Sequence, residues 1–439
     1  MPSPPSPQVT APSRGRLAWV LLDWGASSYS TIQITLMVAY VERVVFATKP
    51  WGIGGGTVWA WTLGIAMLAS AIISPLAAGW ADRYARHRMA LAASVLTGSL
   101  ACLGLGLAPP SSPVLAVLMV ALSAVGFDLA AIFTGALLPA IADGPDADRL
   151  SARGFAAGYA GGAIALVAAA ALVGSSDTFG IDKTAALRFS FAGIGLWWLL
   201  FSLPAVSGAI PPLPPATGGS GGSVRELARF AGSLTGAGSH SRQLWLLGRF
   251  LLGAVLVLGA VQTMIGQVSS VAIGEFDLEA ADLVNLVLVV QAVALPGAIA
   301  IGWISVHRSR RMALAICLAG WSLVLGLAWF VAARWQLVAL AVLLALVLGG
   351  VQSVLRAVVA VLAPKTHAGS AFGLFQVGSK FTGFLASMGF GLVYELSGRP
   401  RAGIIVLFVQ LIAGWLLLSR VPMDEDHSQA SLDAQHMPH

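Results

Sequence analysis

Five charged side chains stand inside long apolar stretches of this 439-residue sequence. A charge in the hydrocarbon of a membrane costs at least about 3 kcal/mol, so such a residue rarely faces lipid. A carboxyl in a low-dielectric site can take up a proton or hold an ammonium group. Arginine offers a planar fork to a carboxylate, and a buried lysine can lose its proton. The candidates for proton coupling or solute binding are Asp23, Asp128, Arg249, Arg356 and Lys380.

Uncharged polar and aromatic side chains accompany these charges. The densest group follows Asp23 in the run Asp23-Trp24-Gly25-Ala26-Ser27-Ser28-Tyr29, inside the first apolar segment. In one interpretation such side chains line a path for the solute. In the other, glutamines bond across helices and aromatic rings pack or anchor at the membrane interface. The cavity-lining candidates are Trp24, Ser27, Tyr29, Tyr159, Gln262, Gln352 and Gln376.

The elements that must position these residues are membrane helices. Hydrophobic residues make up 57% of the chain and charged residues only 10%, too few charges for the surface of a soluble protein of this size. About twelve apolar segments have the length of a membrane span, which predicts an all-α polytopic membrane protein. Their approximate positions are 17–41, 57–80, 90–108, 114–137, 155–173, 187–206, 243–266, 280–305, 313–332, 336–360, 371–394 and 402–420.

The basic residues lie mainly in the loops between these segments. If both termini are cytoplasmic, fifteen Lys and Arg residues lie on the inner side and seven on the outer side, which supports that orientation. The basic residues that give the net charge of +6 therefore indicate the orientation of the chain in the membrane. We expect no nucleic-acid partner. The two cysteines, Cys102 and Cys317, both lie in apolar segments and predict neither a disulfide nor a metal site.

The chain divides into two similar halves. Residues 79–91 align without gaps on residues 302–314, with six of thirteen positions identical, and each copy joins the second and third segments of its half. Two related bundles are typical of secondary transporters. The predicted organisation is a disordered cytoplasmic N-terminus, an N-terminal six-helix bundle, a Pro- and Gly/Ser-rich cytoplasmic linker, a C-terminal six-helix bundle and a cytoplasmic tail. Their limits are 1–16, 17–206, 207–242, 243–420 and 421–439.

The loop between the second and third segments carries a recognisable pattern. Residues 78–88 resemble the signature of the major facilitator superfamily, with Asp82-Arg83 and Arg86 matching in kind and the leading glycine displaced to Gly79. The resemblance implies a loop that holds the inward side closed through ion pairs and helix-end contacts. A solvated basic loop is the alternative. The residues assigned to this gating loop are Asp82, Arg83, Arg86 and Arg88.

Four further stretches resemble the autophagy-linked vacuolar amino-acid effluxer-like family, which has many bacterial members. They are Asp23–Tyr29, Leu150–Gly162, Gly349–Arg356, and Phe372–Phe375 with Gly378 and Lys380. Together they cover nearly the whole chain in the family order. The sequence departs from the family pattern at Ser27, Ala140 and Leu258-Gly259, changes that concern the substrate rather than the fold.

The resemblance implies which charges meet. In the major facilitator fold the first, fourth, seventh and tenth helices line a central cavity, so Asp23, Asp128, Arg249 and Arg356 are expected to face it. They either bind proton and solute, or pair across the two bundles as an inner gate without touching solute. A third possibility applies to Arg249, whose long side chain can reach the membrane surface.

The expected function is alternating-access transport of a small polar solute. The family resemblance favours an amino acid as the solute. We expect export driven by a proton gradient, in the inner membrane of a bacterium. A drug or amphiphile exporter is the alternative transporter, and a transport-inactive scaffold or receptor is the alternative of another class. The sequence lacks the catalytic and nucleotide-binding motifs that would indicate an enzyme. We expect no cofactor and no metal, a monomer, and only the solute and membrane lipid as partners.

Overall fold

Apolar runs of about 20 residues form helices in a membrane, because only a helix pairs every backbone polar group within a single segment. The computed structural model describes residues 13–142, 144–212, 232, 242–362 and 368–421. In that part of the chain twelve long helices follow one another. The first half contains α1 (Ser13–Ile32, continuing through Gln33–Met37, Val38–Tyr40 and Val41–Val45), α2 (Gly55–Tyr84), α3 (His87–Leu107), α4 (Pro113–Leu137), α5 (Gly144–Gly174) and α6 (Lys183–Pro204, continuing through Ala205–Ala209). The second half contains α7 (Arg242–Phe276), α8 (Ala280–His307), α9 (Arg310–Leu327), α10 (Arg334–Leu362), α11 (Ala368–Ser397) and α12 (Pro400–Leu418).

Ten of these helices are long and apolar enough to cross a membrane. The two others, α1 and α11, carry Asp23 and Lys380 together with many glycine and hydroxyl residues. Large apolar side chains such as Leu100 and Leu107 stay exposed on the helix surfaces, as expected for helices that contact lipid. The helices match the twelve predicted segments, so the prediction of an all-α polytopic membrane protein is confirmed.

The first helix is irregular in its second half. After Ile32, two π-helical stretches, Gln33–Met37 and Val41–Val45, flank the short helical stretch Val38–Tyr40. Such π-bulges are frequent at functional sites. Here they carry the helix beyond the predicted end of the span, and Glu42 and Arg43 lie within the second stretch.

Backbone contacts divide the chain into two compact units. The first comprises Met1–Val224, Ile265–Leu288 and Ser387–Gly403, and the second Arg225–Met264, Val289–Ala386 and Ile404–His439. In the first unit α1 packs on α5 and α6, α3 packs on α4 and α6, and α2 packs on α4. In the second unit α9 packs on α10.

Several predicted features fall outside the described residues. They are residues 1–12 of the N-terminus, nearly all of the linker between α6 and α7, and the tail after Val421. The two similar loops are described and occupy equivalent places. Arg86 lies between α2 and α3, and Ser309 lies between α8 and α9, where its hydroxyl accepts a hydrogen bond from the Met312 backbone N–H.

Candidate functional site

The polar stretch of α1 lies against a row of glycines on α5. A Cβ placed on Gly154 would come within 2.3 Å of Asp23 Oδ2, and one placed on Gly158 within 2.4 Å of Ser27 Oγ. A larger residue at either glycine would therefore require the Asp23 or Ser27 side chain, or the helix that carries it, to move. Small residues of this kind let membrane helices approach closely. The contact positions the carboxyl of Asp23, and the Asp23 side chain is partly exposed.

Tyr29 is fully buried in the first unit. Its ring stacks on Trp198 at a centroid distance of 5.2 Å, and its hydroxyl is 3.0 Å from the Ser123 hydroxyl. Phe127 contacts the same ring at 5.3 Å, and Asp128 is the next residue of α4. Tyr29 therefore packs against α4 and α6 in the described part of the unit, and whether it also lines a cavity stays a prediction.

Trp24 packs on the other side of α1. Its ring stacks on Trp197 at 6.0 Å with an interplanar angle of 18°, and it also contacts Phe201. Both indole N–H groups are buried and have no hydrogen-bond partner among the described residues. Tyr159 on α5 is partly exposed. Whether either side chain lines a cavity stays a prediction.

The arginines of the predicted gating loop lie near the end of α2 and the start of α3. The Arg83 guanidinium is 5.5 Å from the centroid of the Tyr84 ring, and the Arg86 guanidinium is 5.8 Å from that of Trp80. Arg88 Nη1 lies 2.9 Å from where a Cβ on Gly208 would be, so this side chain reaches the end of α6. The side chain of Asp82 lies outside the described residues.

The candidates in the second unit are described separately. The Arg249 guanidinium lies 4.6 Å above the ring of Trp245, an exposed residue, which agrees with a side chain that reaches the membrane surface. The side chain of Arg356 lies outside the described residues. The other candidates are all partly buried: Gln262, Gln352, Gln376 and Lys380.

A polar contact that the sequence did not predict joins α7, α11 and α12 in the second unit. Gln410 Nε2 donates to the backbone oxygens of Leu256 at 3.0 Å and Thr382 at 3.4 Å. A Cβ at Gly259 would lie 2.3 Å from the Thr382 hydroxyl oxygen and 2.8 Å from Gln410 Nε2. The departure from the family pattern at Gly259 thus makes room for Gln410.

A second polar group that the sequence did not predict lies where α1 ends and α2 begins, in the first unit. A cavity of about 280 Å³ lies there, with Glu42, Lys49, Tyr394 and Glu395 among its lining residues. We call this place the junction cavity. One of its walls is the first turn of α2, where Gly54 N and Thr57 Oγ1 donate to Glu395 Oε2 at 3.2 and 2.9 Å.

Contacts around the junction cavity connect the first two helices to segments that lie much later in the chain. Two indole N–H groups of α2 donate to backbone oxygens: Trp59 to Gly266 at 2.9 Å and Trp61 to Met388 at 3.3 Å. Further contacts are the ion pairs Arg43–Asp277 and Arg401–Glu275 and the hydrogen bond from the Ser269 hydroxyl to the Ile34 backbone oxygen. The junction is therefore held by several directional contacts within one unit.

One local signal in the sequence could have indicated this junction. Three consecutive glycines, Gly54-Gly55-Gly56, open α2, and a Cβ on Gly56 would come within 2.3 Å of the Tyr394 ring. A glycine run at a helix start indicates close approach of another segment. The approaching segment itself cannot be identified from the run.

Known transporter families and relatives match this chain in sequence. Residues 56–431 match the family described as vacuole effluxer Atg22 like. An uncharacterized MFS-type transporter of Bacillus subtilis, YxiO, is 24% identical over 429 residues, which cover 96% of this chain and 97% of the relative. Autophagy-related protein 22 of Yarrowia lipolytica is 24% identical over 307 residues, which cover 64% of this chain and 51% of the relative. The chain thus spans about half the length of that fungal relative.

Solved structures show the same fold at low sequence identity. The xylose transporter XylE of E. coli, in an inward-open conformation, superposes with a TM-score of 0.68 at 12% identity, over 95% of this chain and 98% of the other. A bacterial homologue of the human lysosomal transporter Spinster gives 0.61 at 14% identity, over 93% and 96%. The family resemblance expected from the sequence is confirmed. The chain is a multi-pass membrane transporter with the major facilitator fold, and it belongs to the vacuole effluxer Atg22-like family.

Proposed function

We propose that this protein exports a small polar solute, an amino acid favoured, by alternating access, with protons moving inward as the driving ion. The effluxer description of its family and the transporter description of its bacterial relative support export by a secondary transporter. The observation that carries the coupling proposal is the placement of Asp23. A carboxyl held on a polar helix by close glycine contacts is suited to bind a proton or an ammonium group.

The remaining charged candidates are assigned to binding of the proton and the solute in this proposal. Asp128 follows Phe127 in the same unit as Asp23, and the proposal assigns one of these two carboxyls to the proton and the other to a solute ammonium. In this proposal the solute carboxylate is held by Arg249, Arg356 or Lys380, because guanidinium and ammonium groups pair with carboxylates. The arginines of the loop between α2 and α3 assist closure on the cytoplasmic side.

The distribution of basic residues supports a cytoplasmic N-terminus, and we propose that both termini lie in the cytoplasm of a bacterium. The end at which α1 meets α2 then faces outward. The proposed working form is a monomer in lipid, with the solute as its only other partner.

Gradient-driven flux in proteoliposomes tests this function. Vesicles containing the purified protein are loaded with labelled amino acids, and release is measured after an imposed pH gradient. The expected result is release by the wild type and loss of the gradient-driven part in Asp23→Asn. Asp177→Asn is the matched control, because Asp177 is an exposed carboxylate in the turn after α5 and should leave flux unchanged. Gradient-driven flux that persists in Asp23→Asn rules out Asp23 as the coupling group.

A thermal-shift panel separates the possible solutes. Stabilisation by amino acids supports the proposal, whereas stabilisation by hydrophobic cations alone favours a drug or amphiphile exporter. If no compound is transported and a stable partner protein is recovered in a pull-down, the scaffold or receptor alternative is favoured.

A further inference from the structure

We propose that Glu42, in the junction cavity, binds a proton when the outer end of the transporter closes. The proposal rests on the alternating access and the orientation proposed above, and it names a proton-binding residue other than Asp23. Glu42 lies one residue beyond the predicted first span, in the second π-helical stretch of α1. Its functional role would be to couple outer closure to the external proton concentration.

The side chain of Glu42 is partly buried, and its carboxyl has few donors around it. Its Oε1 atom is buried and has no hydrogen-bond partner within the described part of the chain. The neutral hydroxyl of Ser270 on α7 lies beside the carboxyl and favours its charged form, but no hydrogen bond of good geometry joins the two groups. An ionised carboxylate held in this way loses hydration without gaining charge-assisted bonds, whereas the neutral acid loses far less.

The charged groups around the cavity reinforce this preference. The first turn of α2 would stabilise a carboxylate through its N–H groups, but Glu395 already accepts bonds from Gly54 and Thr57 there. Glu395 also adds a like charge to the same cavity. Arg43, the next residue in the chain, is an opposing charge that favours the carboxylate, but its guanidinium is paired with Asp277.

The other titratable groups of the cavity do not supply a close buried cation. Lys49 lines the rim, where it is exposed to solvent and its charge is screened. Tyr394 on α11 contributes a hydroxyl to the wall and carries no charge at neutral pH. On α7, Glu275 is held by Arg401 through Oε2 at 2.8 Å.

The direction of the coupling follows from the difference between the closed and open states. Opening separates α1 and α2 from the later segments and lets water reach Glu42, so the open state favours the charged carboxylate. The closed state binds the proton more tightly, and by linkage a lower external pH favours closure. In an exporter, a proton arriving from outside would therefore close the outer end after the solute has left.

Cysteine accessibility tests the proposal without any solute. In a background with Cys102→Ala and Cys317→Ala, Ile273→Cys places a thiol in the cavity wall, where Ile273 is 7% exposed. Its alkylation by an impermeant maleimide is measured in proteoliposomes between external pH 6 and pH 9. Each rate is divided by that of Ala47→Cys, an exposed position on the same cavity, which corrects for thiol ionisation.

The normalised rate should fall as the external pH falls, approaching about tenfold per pH unit, the limit for one proton. Glu42→Gln, which mimics the protonated acid, should stay slow at every pH. Glu395→Gln is the matched control: it removes the other carboxylate of the cavity, should raise accessibility, and should keep the pH slope. A Glu42→Gln slope equal to that of the parent overturns the proposal.

A second variant decides the case if Glu42→Gln does not fold. Ser270→Ala removes the hydroxyl that favours the charged form of Glu42, so the midpoint of the accessibility curve should move to higher pH. An unchanged midpoint then overturns the proposal. Since no solute is used, these results concern Glu42 alone. Normal pH-dependent accessibility without gradient-driven flux would instead count against the proposed transport function.

Discussion

The hydroxyl of Thr57 donates a hydrogen bond of 2.9 Å to the carboxyl of Glu395, across 338 positions of sequence. The same carboxylate oxygen accepts the Gly54 backbone N–H at 3.2 Å. An acidic side chain of α11 therefore caps the first turn of α2, where the helix dipole favours negative charge. Any motion that separates these helices at this end must break both bonds.

Thr57→Val should loosen this contact, because it removes a donor to a charged acceptor while keeping the side-chain shape. The expected loss is about 2 kcal/mol of unfolding free energy in detergent micelles. Thr62→Val is the control on the same helix, since the Thr62 hydroxyl bonds only the Val58 oxygen of its own helix among the described contacts. Equal effects of the two substitutions would contradict a special role for the Thr57–Glu395 bond.

Gly158→Ala should destabilise the α1–α5 contact. The added Cβ would lie 2.4 Å from Ser27 Oγ, and overpacking of this kind costs about 1–3 kcal/mol. Gly174→Ala, at the end of the same helix, is the control, because no atom lies within 4 Å of its Cβ position. We expect a lower thermal unfolding temperature for the first variant and an unchanged or higher one for the second. Full tolerance of alanine at 158 would contradict a stability contribution from this close contact.

Tyr29→Phe should test whether this residue packs or binds solute. Loss of the hydroxyl that meets Ser123 should cost about 1 kcal/mol of stability, and the stack on Trp198 should remain. If Tyr29 only packs, the concentration dependence of transport stays that of the wild type in the flux assay. A raised KM with unchanged stability would instead assign the hydroxyl to solute binding.

The two ion pairs of the junction should differ in strength. Arg401→Ala removes a guanidinium that bonds Glu275, a side chain only 11% exposed, and should cost about 2 kcal/mol. Arg43→Ala breaks a pair with Asp277, a side chain 92% exposed, and should cost about 0.5 kcal/mol. Unfolding free energies of the two variants at low and high salt provide the measurement. Salt should change the contribution of Arg43 more than that of Arg401, and the reverse order would disprove the ranking.

The sequence alone was sufficient to predict the positions of the helices and to identify a polytopic membrane protein. The length of each apolar segment is fixed by the thickness of the membrane, so α2 and α12 could be placed from local composition. The cost of a charge in hydrocarbon likewise singled out Asp23 before any contact was known. Even the relation of the loops at Arg86 and Ser309 could be read from an ungapped alignment of the chain with itself.

Only the tertiary structure decided which distant side chains meet. Nothing local to Glu42 predicts that one oxygen of its carboxyl is buried, because α2, α7 and α11 supply the other walls of the cavity. The capping of α2 by Glu395 and the position of Tyr29 against Trp198 are equally non-local. Hydrophobicity places a segment in the membrane but does not distinguish between neighbouring helices, since lipid and Leu side chains are similarly apolar. Which helices come together depends on shape, on small residues such as Gly158 and on directional polar contacts, and these act only when the whole chain is packed.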